Sequence, residues 1–193
     1  MDYSAFLERW SDTFEEFEMR ARQSLDEYSM NEVCEKFLQR VLPQPPNADV
    51  IARFRDAYLM EWNTGVGYIP GVTSLLADLS EQFTLVLVTN THHADLVHSH
   101  LKTMDAAQYF ATVVTSVEHG KRKPSGCIFE SAIERSRGKP ETSVYVGDSY
   151  SADYLGAVRA GLSGLLIDPG HRYDVPRSHR LTHVFETRAL LAD

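Results

Sequence analysis

Short strand-like runs alternate with helical segments from residue 69 onward, and this alternation restricts the fold more than any other feature of the sequence. Runs that are apolar at every position are typical of parallel strands buried on both faces. Strands that alternate with helices form a parallel sheet through right-handed crossovers. The sequence therefore predicts an α/β fold with a parallel sheet. The predicted strands are residues 83–88, 112–115, 144–147 and 165–167, with a short edge strand at Val184-Phe185.

The first third of the chain has a different pattern, because apolar residues recur there at spacings of three and four. Three helices are predicted, with Asn31 as the N-cap of the second. The segment Gly65–Gly71 has the composition of a linker. We therefore predict a helical domain at residues 1–68 and an α/β domain at residues 69–193. The first helical stripe consists of Tyr3, Phe6, Leu7, Trp10, Phe14 and Phe17.

Composition limits the partners of the chain. Its formal net charge of −8 opposes a broad contact with nucleic-acid phosphates. No apolar run is long enough to span a membrane, and no signal peptide is visible. Cys34 and Cys127 are far apart, as expected of free thiols in a reducing compartment. We therefore expect a cytoplasmic protein that binds neither nucleic acid nor membrane, and an unfilled sheet edge would favour a homo-oligomer.

Polar side chains follow the predicted strands at the points where those strands end. Thr89 and Asn90 follow the first strand, Lys123 precedes a helix, and Asp148 and Asp153 lie across a strand-to-helix turn. In a parallel sheet these positions gather at one edge. Two carboxylates in a small volume repel each other unless a cation lies nearby, and Mg²⁺ prefers oxygen ligands. The pattern therefore indicates an anion-binding and magnesium-binding edge.

Each of these residues also has a plainer interpretation. Asn90 and Asp148 are good helix caps, and Asp153 falls where a helix dipole favours an acid. Lys123 belongs to a run of three cations, which by itself is more typical of a solvated loop. The order of all these groups on successive strand ends is what favours a common site.

The motifs resemble those of a known family. Thr89-Asn90, Lys123-Pro124 and Gly147-Asp148-Ser149 with Asp153 are similar to motifs two, three and four of the haloacid dehalogenase-like (HAD-like) hydrolases. The resemblance covers residues 69–170. It implies a Rossmann-like parallel-sheet core at residues 69–193 and an α-helical cap at residues 1–68. Most members of this family are Mg²⁺-dependent phosphatases in which an aspartate nucleophile takes the phosphoryl group.

The resemblance also implies roles for the motif residues. Thr89 would bind the phosphoryl oxygens, with Asn90 beside it. Lys123 would steady the nucleophile and the phosphate. Asp148 would ligate Mg²⁺, and Asp153 would support that metal site. The implied activity is that of a Mg²⁺-dependent phosphatase acting on a small phosphate monoester, so the expected partner is a small phosphorylated metabolite.

The family's first motif, an apolar strand that ends in Asp-x-Asp-x-Thr, is absent from the printed sequence. We therefore expect the central first strand to be missing, which would leave a gap of about 10 Å between the strands that end at Thr89 and Asp148. One hypothesis is that the chain begins one strand late, and another is a real loss. Asp2 is a weak candidate for the nucleophile. The chain is then either a phosphatase, inactive if no nucleophile is present, or a catalytically dead HAD-like binding or regulatory domain.

A receiver-like signalling domain is a further alternative, since such domains also place clustered acids and a lysine on a parallel sheet. The helical first third of the chain disfavours it. So does the position of Lys123 before the acid pair, rather than after it.

Overall fold

The computed structural model describes residues 2–191, and the chain divides into two compact units after Tyr68. The first unit contains α1 (Tyr3–Ser24), α2 (Met30–Val41) and α3 (Ala48–Asn63). The strands of the second unit are β1 (Leu85–Thr89), β2 (Phe110–Thr115), β3 (Val144–Gly147), β4 (Ser163–Ile167) and β5 (Arg180–Leu181). Its helices are α4 (Val72–Ser80), α5 (Ala94–Thr103), α6 (Ser116–His119), α7 (Gly126–Ser136), α8 (Leu155–Arg159) and α9 (Glu186–Leu191). No helix in the described part of the chain is both long and apolar enough to cross a bilayer.

The apolar stripe of the first helix packs as the core of the first unit. Trp10 and Phe17 of α1 are buried, and the Trp10 ring meets the edge of Phe37 with 5.1 Å between centroids. Phe37 in turn stacks on Phe54 of α3 at 5.3 Å. Edge-to-face and stacked ring pairs at these distances stabilise the packing beyond the contribution of buried apolar area alone. The prediction is confirmed for Trp10 and Phe17, which are buried, whereas Tyr3 and Leu7 of the same stripe are exposed. The aromatic residues of the stripe join the three helices.

The predicted cap of α2 is wrong by two residues. Ser29 is the N-cap, because its hydroxyl accepts from the Glu32 N–H at 3.3 Å while Glu32 accepts from the Ser29 N–H at 2.8 Å. This reciprocal pair needs an acid three residues after the cap, which Ser29 has. Asn31 lies inside the helix, where its side-chain oxygen accepts from Arg55 at 2.9 Å.

The strands of the second unit are all parallel, but they form two sheets. One sheet contains β1 and β2, and the other has the order β3-β4-β5. Between β1 and β3 the described residues form no strand ladder. The parallel α/β architecture is therefore confirmed, and the sheet is interrupted where the sequence predicted a missing central strand.

The last strand differs from the prediction. It is Arg180–Leu181, which pairs with the end of β4, and not Val184-Phe185. Leu181 is 1% exposed, and its carbonyl accepts from the Asp168 N–H at 2.8 Å. Phe185 is 40% exposed and lies in a turn before α9. Val184-Phe185 has the local composition of a strand, but the pairing with β4 makes Arg180–Leu181 the edge strand.

Candidate active site

Asn90 connects the loop before α7 to the end of β1 through two hydrogen bonds. The Asn90 side-chain oxygen accepts from the Lys123 N–H at 2.8 Å, and the Asn90 side-chain nitrogen donates to the Lys123 carbonyl at 3.1 Å. Asn90 directly follows β1, so it fixes the backbone of Lys123 at the carboxyl end of that strand. The amide group of Asn90 is therefore used to position Lys123.

The Lys123 ammonium group lies at the centre of a buried network. It donates to Asp153 Oδ1 at 2.6 Å, to the Tyr145 hydroxyl at 2.7 Å and to the Val88 carbonyl at 3.1 Å. The side chains of Lys123 and Asp153 are 10% and 6% exposed. Because an ammonium group carries three N–H donors, each donor has one acceptor here. The ion pair is thus buried and fully hydrogen-bonded.

Tyr145 is the member of this network that the sequence did not reveal. Its hydroxyl lies 3.0 Å from the Val88 carbonyl and 3.3 Å from Asp153 Oδ1, and its ring meets the edge of Phe129 at 5.0 Å. Burial, together with the nearby Asp153 carboxylate, raises the pKa of Tyr145 well above its usual value. The phenol therefore stays neutral and can donate a proton in a hydrogen bond. In the sequence Tyr145 is one more β-former in an apolar strand, and no spacing singles it out.

Gly147 allows Asp153 to approach the end of β3. A Cβ atom at residue 147 would lie 2.5 Å from the Cβ, Cγ and Oδ2 atoms of Asp153. Asp153 Oδ2 accepts from the Ser149 N–H at 2.9 Å, and the Ser149 hydroxyl accepts from the Ala152 N–H at 3.2 Å. Both Asp153 oxygens are therefore engaged, one by Lys123 and one by the backbone of the turn.

Thr89 and Asp148 occupy the ends of β1 and β3 without joining the Lys123 network. The Thr89 hydroxyl lies 3.4 Å from the Asn90 carbonyl, a long contact for a hydrogen bond between oxygens. Asp148 is exposed, and it lies close enough to Tyr145 to contribute to the raised pKa of that phenol. The structure thus brings Asn90, Lys123 and Asp153 together and leaves the Asp148 carboxylate open to solvent.

The acids at the strand ends offer few ligands to a divalent cation. Among residues 2–191 no three His, Cys, Asp or Glu side chains form a metal-binding group. Mg²⁺ usually keeps several waters and binds through one or two carboxylates plus substrate phosphates. The exposed Asp148 carboxylate suits that mode. Asp153, with both oxygens engaged, suits a supporting role next to it.

These features define an α/β protein with a Rossmann-like parallel architecture and a lysine–aspartate network at the strand ends. The profile of the haloacid dehalogenase-like hydrolases matches residues 3–167, and the chain belongs to this family.

Two curated relatives are named as phosphatases. The chain is 28% identical over 136 residues to a ribulose-1,5-bisphosphate 5-phosphatase from Halopiger xanaduensis, covering 70% of this chain and 56% of that protein. It is 38% identical over 100 residues to a glyceraldehyde 3-phosphate phosphatase from Methanothermobacter thermautotrophicus, covering 51% of this chain and 44% of that protein. The chain thus spans about half the length of these relatives.

Solved structures share the fold. A 2-haloacid dehalogenase from Pseudomonas syringae matches with a TM-score of 0.74 and 22% identity over 100% of this chain and 81% of its own. A putative HAD-hydrolase from Bacillus subtilis, solved bound to magnesium, matches with a TM-score of 0.70 and 21% identity over 98% of this chain and 82% of its own. At these identities the likeness establishes the fold alone.

Proposed function

We propose that residues 69–193 are the core of a Mg²⁺-dependent phosphatase, that residues 1–68 are its α-helical cap, and that the substrate is a small phosphate monoester. The observation that supports this most is the buried Lys123 ammonium, fixed 2.6 Å from Asp153 at the carboxyl ends of the strands. The proposal is also supported by two curated relatives that are named as phosphatases.

In this proposal Thr89 and Lys123 bind the phosphoryl group. The Thr89 hydroxyl, at the end of β1, donates to one phosphoryl oxygen. Lys123 offsets the negative charge that develops on that group, and a charge fixed in a buried site does this without reorganisation. Because all three donors of Lys123 are engaged, it exchanges one acceptor for a phosphoryl oxygen when substrate binds. Tyr145 and Asp153 hold the ammonium in place during this exchange.

Asp148 would hold Mg²⁺ together with substrate and water oxygens, and Asp153 would keep the turn that carries Asp148 in position. A bound Mg²⁺ supplies charge neutralisation at the phosphoryl oxygens. This assignment accounts for a carboxylate that is exposed at the end of β3.

A second candidate function is phosphate binding without turnover. It is favoured because the candidate acids already have other roles, which leaves none of them as the nucleophile. Asp153 is engaged by Lys123 and by the Ser149 N–H, and Asp148 is assigned to the metal. Asp2 caps α1, where its Oδ1 accepts from the Ala5 N–H at 2.8 Å. Hydrolysis through a carboxylate nucleophile therefore needs an acid other than these three.

Two measurements on the full chain separate the functions. The first is hydrolysis of p-nitrophenyl phosphate with Mg²⁺, and the second is binding of inorganic phosphate followed by ¹⁵N NMR. Turnover that Asp148→Asn abolishes, and that Asp174→Asn at an exposed loop acid leaves unchanged, supports the phosphatase. Saturable phosphate binding without turnover, lost in Lys123→Met, supports the binding domain. If neither turnover nor phosphate binding occurs, the proposed site is wrong.

A further inference from the structure

The loop of residues 168–180, which follows β4, has no role in the proposed function. Its basic side chains are Arg172, Arg177 and Arg180, with His171 and His179, and its acids are Asp168 and Asp174. The loop therefore has an excess of basic side chains in a chain whose formal net charge is −8. A local excess of cations on an acidic protein attracts anions to that place.

This loop leaves the sheet beside the turn that carries Asp148. Because β3 and β4 are paired in parallel with Gly147 opposite Leu166, the turn and the loop begin at the same sheet edge, one strand spacing of about 5 Å apart. Aromatic rings connect the two segments further out. Tyr173 of the loop stacks on Tyr150 with 4.5 Å between centroids and 7° between ring planes, and Tyr150 comes two residues after Asp148. The loop therefore borders the proposed active site.

Asp168 holds the first turn of the loop in one conformation. Its side chain is buried, and it accepts from the Arg172 N–H at 3.0 Å and from the Tyr173 N–H at 3.2 Å. Arg180 supports the same turn, since it donates to the Tyr173 carbonyl and its Nη1 lies 3.1 Å from His171 Nδ1. The backbone that carries His171 and Arg172 is thus fixed before any ligand binds.

Two exposed side chains extend from this fixed turn. The Arg172 side chain is 67% exposed, while its Nε lies 3.7 Å from Asp168 Oδ1 and its Cζ lies 5.6 Å from the centre of the Tyr173 ring. These contacts orient the guanidinium group and leave it accessible. His171 is also exposed and has a φ of 50°, a strained conformation that is concentrated at active sites and ligand clamps.

We propose that Arg172 and His171 bind a second anionic group of the substrate. The substrate is then a small compound with a phosphate monoester at one end and a carboxylate or another phosphate at the other. This inference rests on the proposed function, which places the first phosphate at Lys123 and Asp148. The planar guanidinium of Arg172 can donate two parallel N–H groups to either kind of anion. When His171 Nδ1 accepts from Arg180, the proton of the neutral ring is on Nε2, which can donate to the same anion.

The test measures binding to the full chain by ¹⁵N NMR in the presence of Mg²⁺, and it needs no turnover. Propyl phosphate carries one anionic group. Ethane-1,2-diyl bisphosphate, butane-1,4-diyl bisphosphate and 4-(phosphonooxy)butanoate carry two, and the last of them has a carboxylate as the second group. The test variant is Arg172→Met. Arg177→Met is the matched control, because it removes the same charge from an exposed position of the same loop.

We expect at least one two-anion probe to bind about tenfold or more tightly than propyl phosphate, as charged hydrogen bonds to a second group predict. Arg172→Met should remove this preference, whereas Arg177→Met should keep it. The amide signals of residues 170–173 should shift with the preferred probe and not with propyl phosphate. A preference for the bisphosphates alone identifies the second group as a phosphate, and a preference that includes the carboxylate probe shows that either anion is accepted.

Equal affinities of the one-anion and two-anion probes would overturn this inference and leave the phosphate site of the proposed function in place. A preference that Arg172→Met retains, or that Arg177→Met also abolishes, would overturn it too, because the general charge of the loop would then be the cause. If none of the four compounds binds, the proposed phosphate site is wrong and the second-anion site is wrong with it.

Discussion

The Lys123–Asp153 pair is the residue-scale feature with the largest expected effect on stability. Asp153→Asn removes the anion and leaves a buried ammonium, which we expect to lower the free energy of unfolding of the second unit by about 3–5 kcal/mol. Asp148→Asn is the matched control, because Asp148 lies on the same turn but is exposed. Urea denaturation followed by circular dichroism measures both variants. Equal effects of the two substitutions would contradict the assigned geometry.

Gly147 is a second position where one atom decides the local structure. A methyl group there would lie 2.5 Å from three atoms of Asp153, so Gly147→Ala must displace the acid or the turn. We expect a loss of about 1–3 kcal/mol in the free energy of unfolding. Gly126→Ala in the first turn of α7 is the control, since its added Cβ would lie 3.8 Å from Glu130 Oε1, an ordinary contact. A stable Gly147→Ala protein with an unchanged Lys123 environment by NMR would show that the close approach is not required.

At the scale of single elements, Asp168 ties the loop after β4 to the sheet. Burial alone would raise the pKa of Asp168, but the backbone N–H groups of Arg172 and Tyr173 and the charge of Arg180 outweigh it. The net pKa lies below its ordinary value. A carboxyl group with a lowered pKa in the folded state stabilises the fold above its unfolded pKa of about 4, and that contribution is lost as the pH falls through the folded value.

We therefore expect the stability of the second unit to fall below about pH 4, and Asp168→Asn to weaken this dependence on pH. Thermal unfolding measured between pH 3 and pH 7 tests the expectation. Asp174→Asn, at an exposed acid in the same loop, serves as the control. Parallel pH profiles for wild type and Asp168→Asn would show that Asp168 does not contribute to the acid dependence.

The elements that the sequence predicted best are those whose apolar residues form a clear local pattern. The strand at 144–147 matches the structure, because a run of apolar β-formers before a glycine has few other solutions. Boundaries that depend on one hydrogen bond were predicted less well. The cap at Ser29 depends on its hydrogen bonds with Glu32, a local spacing that the prediction overlooked in favour of Asn31. The choice of Leu181 over Val184 depends on contact with β4, which no local pattern contains.

At the scale of the whole molecule, the sequence indicated that Asn90, Lys123 and Asp153 come together, but not how they share hydrogen bonds. Lys123 and Asp153 could be placed near each other, because parallel strands bring their carboxyl ends together. The roles of Tyr145 and Asn90 could not. Tyr145 joins the network because its hydroxyl bonds to the Val88 carbonyl of β1, a strand that β3 does not pair with, and this depends on an interrupted sheet.

The two units differ in the environment of their cysteines, and this gives a probe for each. Burial raises the pKa of Cys34 in the first unit to about 12, and its side chain is inaccessible, whereas Cys127 in the second unit is partly exposed. The thiolate is the reactive form, so Cys34 should resist a thiol reagent at pH 8 until the first unit opens. We expect one thiol to react in native protein and the second to react only across the unfolding of residues 2–68. Mass spectrometry along a urea titration, with Cys34→Ala to assign the signals, measures this order, and rapid labelling of Cys34 in native protein would contradict the packing of the three helices.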